Sequence, residues 1–201
     1  NKEYVSITTV LEILAKPALV PWAIKMTAQA IADNPDIIKN EKDVVGAVYG
    51  KRDRAGERGK TLHSLLEVLK NNNPLPEVPD DYKGYARALQ SWWDTHSPQV
   101  ITLEKVVFNN EFLFAGSCDL LCKINKISFL VDLKTGKGIY KEHLLQTSAY
   151  YHALTEMGEK PEKVGILLLK DDGNFVFEEV KEIDKYFQLF LHAKSLWEGL
   201  Q

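Results

Sequence analysis

Cysteine is nearly absent from this chain. Cys118 and Cys122 are the two among 201 residues. Their spacing of four is not a CxxC, and no further thiol is present to complete a four-cysteine metal site. Both are expected on the same face of one strand as small, reduced core residues, which implies a cytoplasmic setting. Long apolar runs are missing as well. No segment approaches about 18 consecutive apolar residues, so no membrane span is expected, and the N-terminus lacks the basic-then-apolar layout of a signal peptide. There is no basic surplus: the net charge is −3, whereas non-specific nucleic-acid binders usually carry an excess of Lys and Arg. Internal repeats and low-complexity tracts are absent. Around Thr135-Gly136-Lys137-Gly138 the GxxxxGK[ST] spacing is not met, so nucleotide hydrolysis is unsupported. No Ser-His-Asp or Cys-His pattern stands out as a nucleophile. With 45% hydrophobic and 26% charged residues, the chain has the composition of a soluble globular protein, long enough for one domain over 1–201 with a helical elaboration.

The patterning divides the chain near residue 97, with 1–97 mainly helical. Val10, Leu11, Leu14, Trp22, Ile24, Met26 and Ile31 recur at helical spacing, with Ser6 or Thr8 able to cap and Pro17 and Pro21 expected to break or kink the segment. A second helix is predicted from about Ala55 to Asn71 on the stripe Leu62, Leu65, Leu66, Leu69. A third is predicted from about Asp80 to Thr95. From 98 to 201 the texture changes. Gln99 to Phe108, Phe112 to Ile124 and Lys126 to Lys134 read as three antiparallel strands joined by hairpins. A helix from Tyr140 to Met157, strands from Lys163 to Lys170 and Phe175 to Val180, and a last helix from Ile183 to Leu200 follow. The order predicts an α/β (α+β) fold, a mixed central sheet flanked by helices, with an N-terminal helical region.

The most informative stretch is Val131-Asp132-Leu133-Lys134-Thr135-Gly136-Lys137, with Asp119 thirteen residues before its aspartate in Ala115-Gly116-Ser117-Cys118-Asp119. Residues i and i+2 of a strand share a face, so Asp132 and Lys134 point the same way with the Leu133 carbonyl between them. Two carboxylates and a carbonyl make an all-oxygen nest suited to Mg²⁺ or Mn²⁺. A lysine beside such a metal can hold, and help deprotonate, an attacking water, which is the chemistry that cuts a phosphodiester. An acid and a base sheltered at a strand end cost desolvation energy unless paired or metal-bound. Four apart on the following helix, Gln146 and Tyr150 share one face. Gln146 is able to donate toward the Lys134 side of the site, and Tyr150 offers a hydroxyl and a ring for stacking on a base. In Glu57-Arg58-Gly59-Lys60-Thr61-Leu62-His63, Gly59 leaves His63 room to reach a metal as a neutral imidazole. Glu67, one turn on, stands to orient it or to be plain surface charge, while Arg58 and Lys60 suit phosphates. Six basic residues against three acids between Lys42 and His63, with Lys134, Lys137 and Lys141, make the local charge more favourable to a polyanion than the total. Glu104 is an auxiliary acid or a solvated strand residue. His96, His143, His152 and His192 form no ligand spacing.

Taken in order, Arg58-Gly59-Lys60-Thr61-Leu62-His63, Gly116-Ser117-Cys118-Asp119, Val131-Asp132-Leu133-Lys134-Thr135-Gly136 and Gln146-Thr147-Ser148-Ala149-Tyr150 resemble the PD-(D/E)xK nuclease superfamily in its RecB-type exonuclease branch. The opening Val5 to Leu11, with Lys16-Pro17-Ala18-Leu19 and Trp22-Ala23, is similar to the start of phage-encoded members. The resemblance implies a restriction-endonuclease-like core and a Mg²⁺- or Mn²⁺-dependent cut of DNA by an activated water, with no iron–sulfur cluster. It implies His63, Asp119, Asp132 and the Leu133 carbonyl as metal ligands, Lys134 as the group that positions the water, and Gln146 and Tyr150 as support and strand contacts. Ser117 and Cys118 stand where the superfamily's name expects a proline. The expected role is an exonuclease of phage or prophage recombination or repair, with DNA and a recombination protein as partners. The alternative is a non-catalytic DNA-binding or structural subunit. The oligomeric state is open, rings that encircle DNA included.

Overall fold

A computed structural model describes residues 3–14 and 19–201. The chain divides into two compact units, residues 1–14 with 62–201, and residues 15–61. The first is an α+β layer structure on a six-stranded mixed sheet, with helices on both faces. Its elements are β1 (Val5–Ser6), α1 (Ile7–Leu11), the C-terminal part of α3 (Glu41–Lys70), α4 (Lys83–His96), β2 (Gln99–Asn109), β3 (Phe114–Ile124), β4 (Ile127–Thr135), α5 (Lys141–Glu156), β5 (Lys163–Leu169), β6 (Phe175–Glu179) and α6 (Ile183–Gly199). The second unit holds α2 (Leu19–Asp33), a 3₁₀ turn at Pro35–Lys39 and the start of α3. Among the described residues no helix is long and apolar enough to cross a membrane.

The strands meet in the order β1-β3-β4-β5-β6, with β2 also on β3. The three predicted antiparallel strands form successive hairpins. The tight turn at Asn125 and Lys126 has both residues at positive φ, 51° and 71°, the backbone that two-residue hairpin loops require. β5 then runs parallel to β4, which demands a crossover, and α5 supplies it. One face of the sheet packs α1, α5 and α6 through residues such as Phe114, Leu130, Ile166, Ala149 and Phe190. The other packs α3 and α4 through the expected leucine stripe, Leu89 and Trp92, against Val131, Leu133 and Leu167. Trp92 is fully buried, with its ring centroid 5.5 Å from that of Phe177.

Several expectations shift. The helix expected from Ala55 starts at Glu41, because its N-terminal half, where glycine and charge replace the stripe, is helical without a continuous apolar face. Pro21 does not break α2. It stands in the first turn, where the missing N–H has no intrahelical acceptor to lose. Pro17 lies outside the described residues, as do Lys16 and Ala18. Ser6 occupies the N-cap position of α1 but bonds the Thr8 hydroxyl at 2.8 Å instead of a backbone N–H.

The two cysteines do not share a face. Cys118 packs with the α5 side of the sheet and Cys122 with the α4 side. Simple alternation would keep residues 118 and 122 together. It fails because Phe114 and Cys118 face α5, whereas Leu120, Cys122 and Ile124 face α4. The switch falls at Asp119. Across the ladder, Leu103 pairs with Leu120 and Lys105 with Cys118, so Glu104 lies opposite Asp119, and Glu104 has a positive φ of 46°. A non-glycine residue in that region re-aims a strand much as a bulge does.

Candidate functional site

One edge of β3 carries β2 along its whole length. The other edge is shared. β4 pairs with it from Leu120 to Ile124, and β1 pairs with Phe114 and Ala115. Between those partners β3 and β4 part, and Asp119, in the interior of β3, stands at the fork. Its Oδ2 accepts the Leu133 N–H at 2.7 Å, a side chain completing a ladder that the backbone has abandoned. The N–H and C=O of one strand residue point toward the same neighbour, so the Leu133 carbonyl opens on the Asp119 side.

Asp132 and Lys134 lie on the α5 face of β4, as period-two alternation predicts. Lys134 Nζ is 2.7 Å from Asp132 Oδ2. Asp132 is 1% exposed, and its Oδ1 has no hydrogen-bond partner among the described residues. An acceptor so placed is costly when left unmet. Asp119, 9% exposed, is pushed up to about 6, by burial first and by the Asp132 carboxylate second, against the pull of His63, Lys134 and the Leu133 N–H. Burial works to lower the Lys134 ammonium, but Asp132 and Asp119 outweigh it and hold the group above its ordinary value. Lys134 therefore stays protonated at neutral pH. A charged Lys134 places a positive charge and hydrogen-bond donors beside the Asp132 carboxylate.

His63, on the helix predicted for it, brings Nδ1 to 3.5 Å from Asp119 Oδ1, an ion-pair distance too long for a good hydrogen bond. Glu67 does not orient it. It is exposed and pairs with Lys70 at 3.4 Å. Arg58 and Lys60 belong to the second unit, five and three residues before His63 on α3. Glu104 is exposed at the ladder position opposite Asp119.

On α5 the Gln146 amide donates to the Tyr150 hydroxyl at 2.8 Å rather than toward Lys134. Tyr150 is 3% exposed, so its ring is not available to stack on a base. It packs on Gly116 instead, where an added Cβ would come within 2.6 Å of Tyr150 Cε1 and 3.1 Å of Ile7 Cδ1. Burial first, then the Asp132 charge, drive the Tyr150 phenol above its ordinary value. The pair is a scaffold between α5, β3 and α1. Sequence reading missed the seat for that ring, although a glycine inside an apolar strand marks close approach. It also missed the left-handed Glu104, for which no sequence signal exists. Of the remaining histidines, His96 stacks on Trp92, His152 on Phe187, and His143 meets the Tyr140 ring edge-to-face.

The donor set is hard oxygen plus one imidazole. Among the described residues no three His, Cys, Asp or Glu side chains are gathered as a ready ligand set. His63 and Asp119 are gathered, and Asp132 is engaged with Lys134. The unmet Asp132 Oδ1 and the raised Asp119 are nonetheless what a divalent cation would relieve, so the residues fit such an ion.

No family model matches the chain, and no curated protein matches it. Among solved structures, the crystal structure of SSO0001 is similar over 100% of this chain and 78% of its own, at 12% identity and a TM-score of 0.44. A likeness at that level carries no argument about the fold or the activity.

Proposed function

We propose that the chain is a Mg²⁺- or Mn²⁺-dependent deoxyribonuclease of the PD-(D/E)xK type, an exonuclease of the cytoplasm serving phage or prophage recombination or repair beside a partner protein. The observation that carries this reading is the fork of β3 and β4, where Asp119 bonds the Leu133 N–H while Asp132 and Lys134 sit on the adjoining face. Two buried carboxylates at one fork, with a lysine that stays charged, are ill-suited to a purely structural role, since each costs desolvation energy without a full set of partners.

In this reading His63, Asp119, Asp132 and the Leu133 carbonyl hold the cation. A bound Mg²⁺ or Mn²⁺ would supply Lewis acidity and a water of lowered pKa. Lys134 would hold an attacking water by hydrogen bonding and steady the charge developing on the phosphate through its ammonium. Gln146 and Tyr150 keep α5 seated behind Lys134, and Arg58 and Lys60 take backbone phosphates. End-labelled linear and circular DNA, single- and double-stranded, incubated with each metal and with chelator, tests the reading. It expects metal-dependent cutting of linear DNA that Asp119→Ala or Lys134→Ala abolishes while the fold is kept. Binding without cutting under every metal condition would instead identify a non-catalytic DNA-binding subunit.

A further inference from the structure

The segment that leaves Lys134 ends in an aromatic ring directed to solvent. The segment 136–139 joins β4 to Tyr140, which stands at the N-cap of α5 and is 45% exposed. The chain spans at most about 20 Å from Lys134 to Tyr140. The start of the loop is tied down where Gly136 N–H donates to the Leu169 carbonyl. Its end is tied by His143, whose Nδ1 accepts the Tyr140 N–H at 3.2 Å and whose ring meets the Tyr140 ring edge-to-face, with centroids 5.5 Å apart. The ring is thus supported along one side and open on another. Lys137 and Lys141, three residues before it and one after it in the chain, are exposed and form no ion pair among the described residues. Glu142, the acid of the first turn, is half-buried.

We infer that Tyr140, with Lys137 and Lys141, is a platform for single-stranded DNA leading into the Lys134 site. An exposed aromatic ring with two exposed lysines close to it in the chain, neither in an ion pair among the described residues, matches what a strand with unpaired bases presents, a π-face beside backbone phosphates. A duplex offers only phosphates, because its base faces are already stacked. The role assigned from sequence to the ring of Tyr150, which is buried, passes to Tyr140. The inference rests on the nuclease reading for its substrate and adds the strandedness.

The test is fluorescence anisotropy in EDTA, so that nothing is cut. The probes are a labelled oligothymidylate of about twelve nucleotides and a blunt duplex of the same length. Tyr140→Ala is expected to weaken single-strand binding about 5- to 150-fold, the range for one lost stacked base, with duplex binding unchanged. Tyr140→Trp should restore it. Lys137→Ala with Lys141→Ala should reduce the slope of log affinity against log salt by about 1.4. Single-strand binding equal to wild type in Tyr140→Ala, equal losses on both probes, or failure of Tyr140→Trp to rescue would overturn the platform. A wild-type protein that cuts DNA with Mg²⁺ yet shows any of these results loses the platform alone. One that binds as expected but never cuts loses the nuclease reading instead.

Discussion

Removing the charge of Asp119 while keeping its shape should make the metal-free protein more stable, and only above a definite pH. The carboxyl titrates at about 6 in the folded chain against 3.8 ordinarily, so the folded state holds this proton more tightly than the unfolded one. The stability linked to it is fully present below about pH 3.8 and is lost as pH rises through about 6. Above that, the ionised group burdens the fold by about 3 kcal/mol, from roughly two pKa units at 1.4 kcal/mol each. Asp119→Asn removes the burden, and its amide oxygen still accepts the Leu133 N–H. That burden is already net of the Leu133 N–H bond and the pull of His63, so the gain is up to about 3 kcal/mol, or up to about 6–12 °C in Tm for a chain of this size. Thermal unfolding of both proteins with EDTA, at about pH 8 and about pH 4, reads it directly. Asn should win at the higher pH and lose its advantage at the lower. Adding Mg²⁺ or Mn²⁺ at the higher pH should raise the Tm of the wild type and leave the variant unmoved. An equal gap at both pH values, or no gap at either, would refute the reasoning.

Three further outcomes follow from the same geometry. Lys134→Gln should lower the metal-dependent cutting rate by about 10²- to 10³-fold, as loss of a charge-stabilising group does, with the circular dichroism spectrum unchanged. Gly116→Ala should destabilise by about 1–3 kcal/mol, measured by urea unfolding, because its Cβ would lie 2.6 Å from the Tyr150 ring. Cys118 and Cys122 should resist a thiol reagent at pH 8 and react together in denaturant, since burial pushes each thiol up to about 12, and no disulfide should form between them on mild oxidation.

The sheet was readable in the sequence because turn residues such as Asn125-Lys126 punctuate strands rich in β-branched side chains. The crossover helix was readable because Leu144 to Leu154 keeps helical spacing. Asp132 with Lys134, and Gln146 with Tyr150, were paired from periodicity alone, since those periods survive folding. What periodicity does not carry is its own interruption. Nothing in Cys118-Asp119-Leu120 announces that the strand changes face there, so the cysteines were expected together. Likewise Tyr150, exposed or buried, has the same letter. Only Gly116, an odd residue for a strand interior, hinted at the ring that covers it. The long N-terminal half of α3 was missed because glycine and charge dilute its apolar stripe.

That β1 and β4 divide a single edge of β3 has a mechanical meaning. Antiparallel neighbours tend to zip as far as their backbones allow, and here the zip stops one rung short of Asp119. Continued in the same register, β4 would end opposite Gly116, one residue short of Ala115 where Ser6 sits, so the two neighbours share this edge without competing for it, and the crevice at Asp119 is β4's own departure from β3.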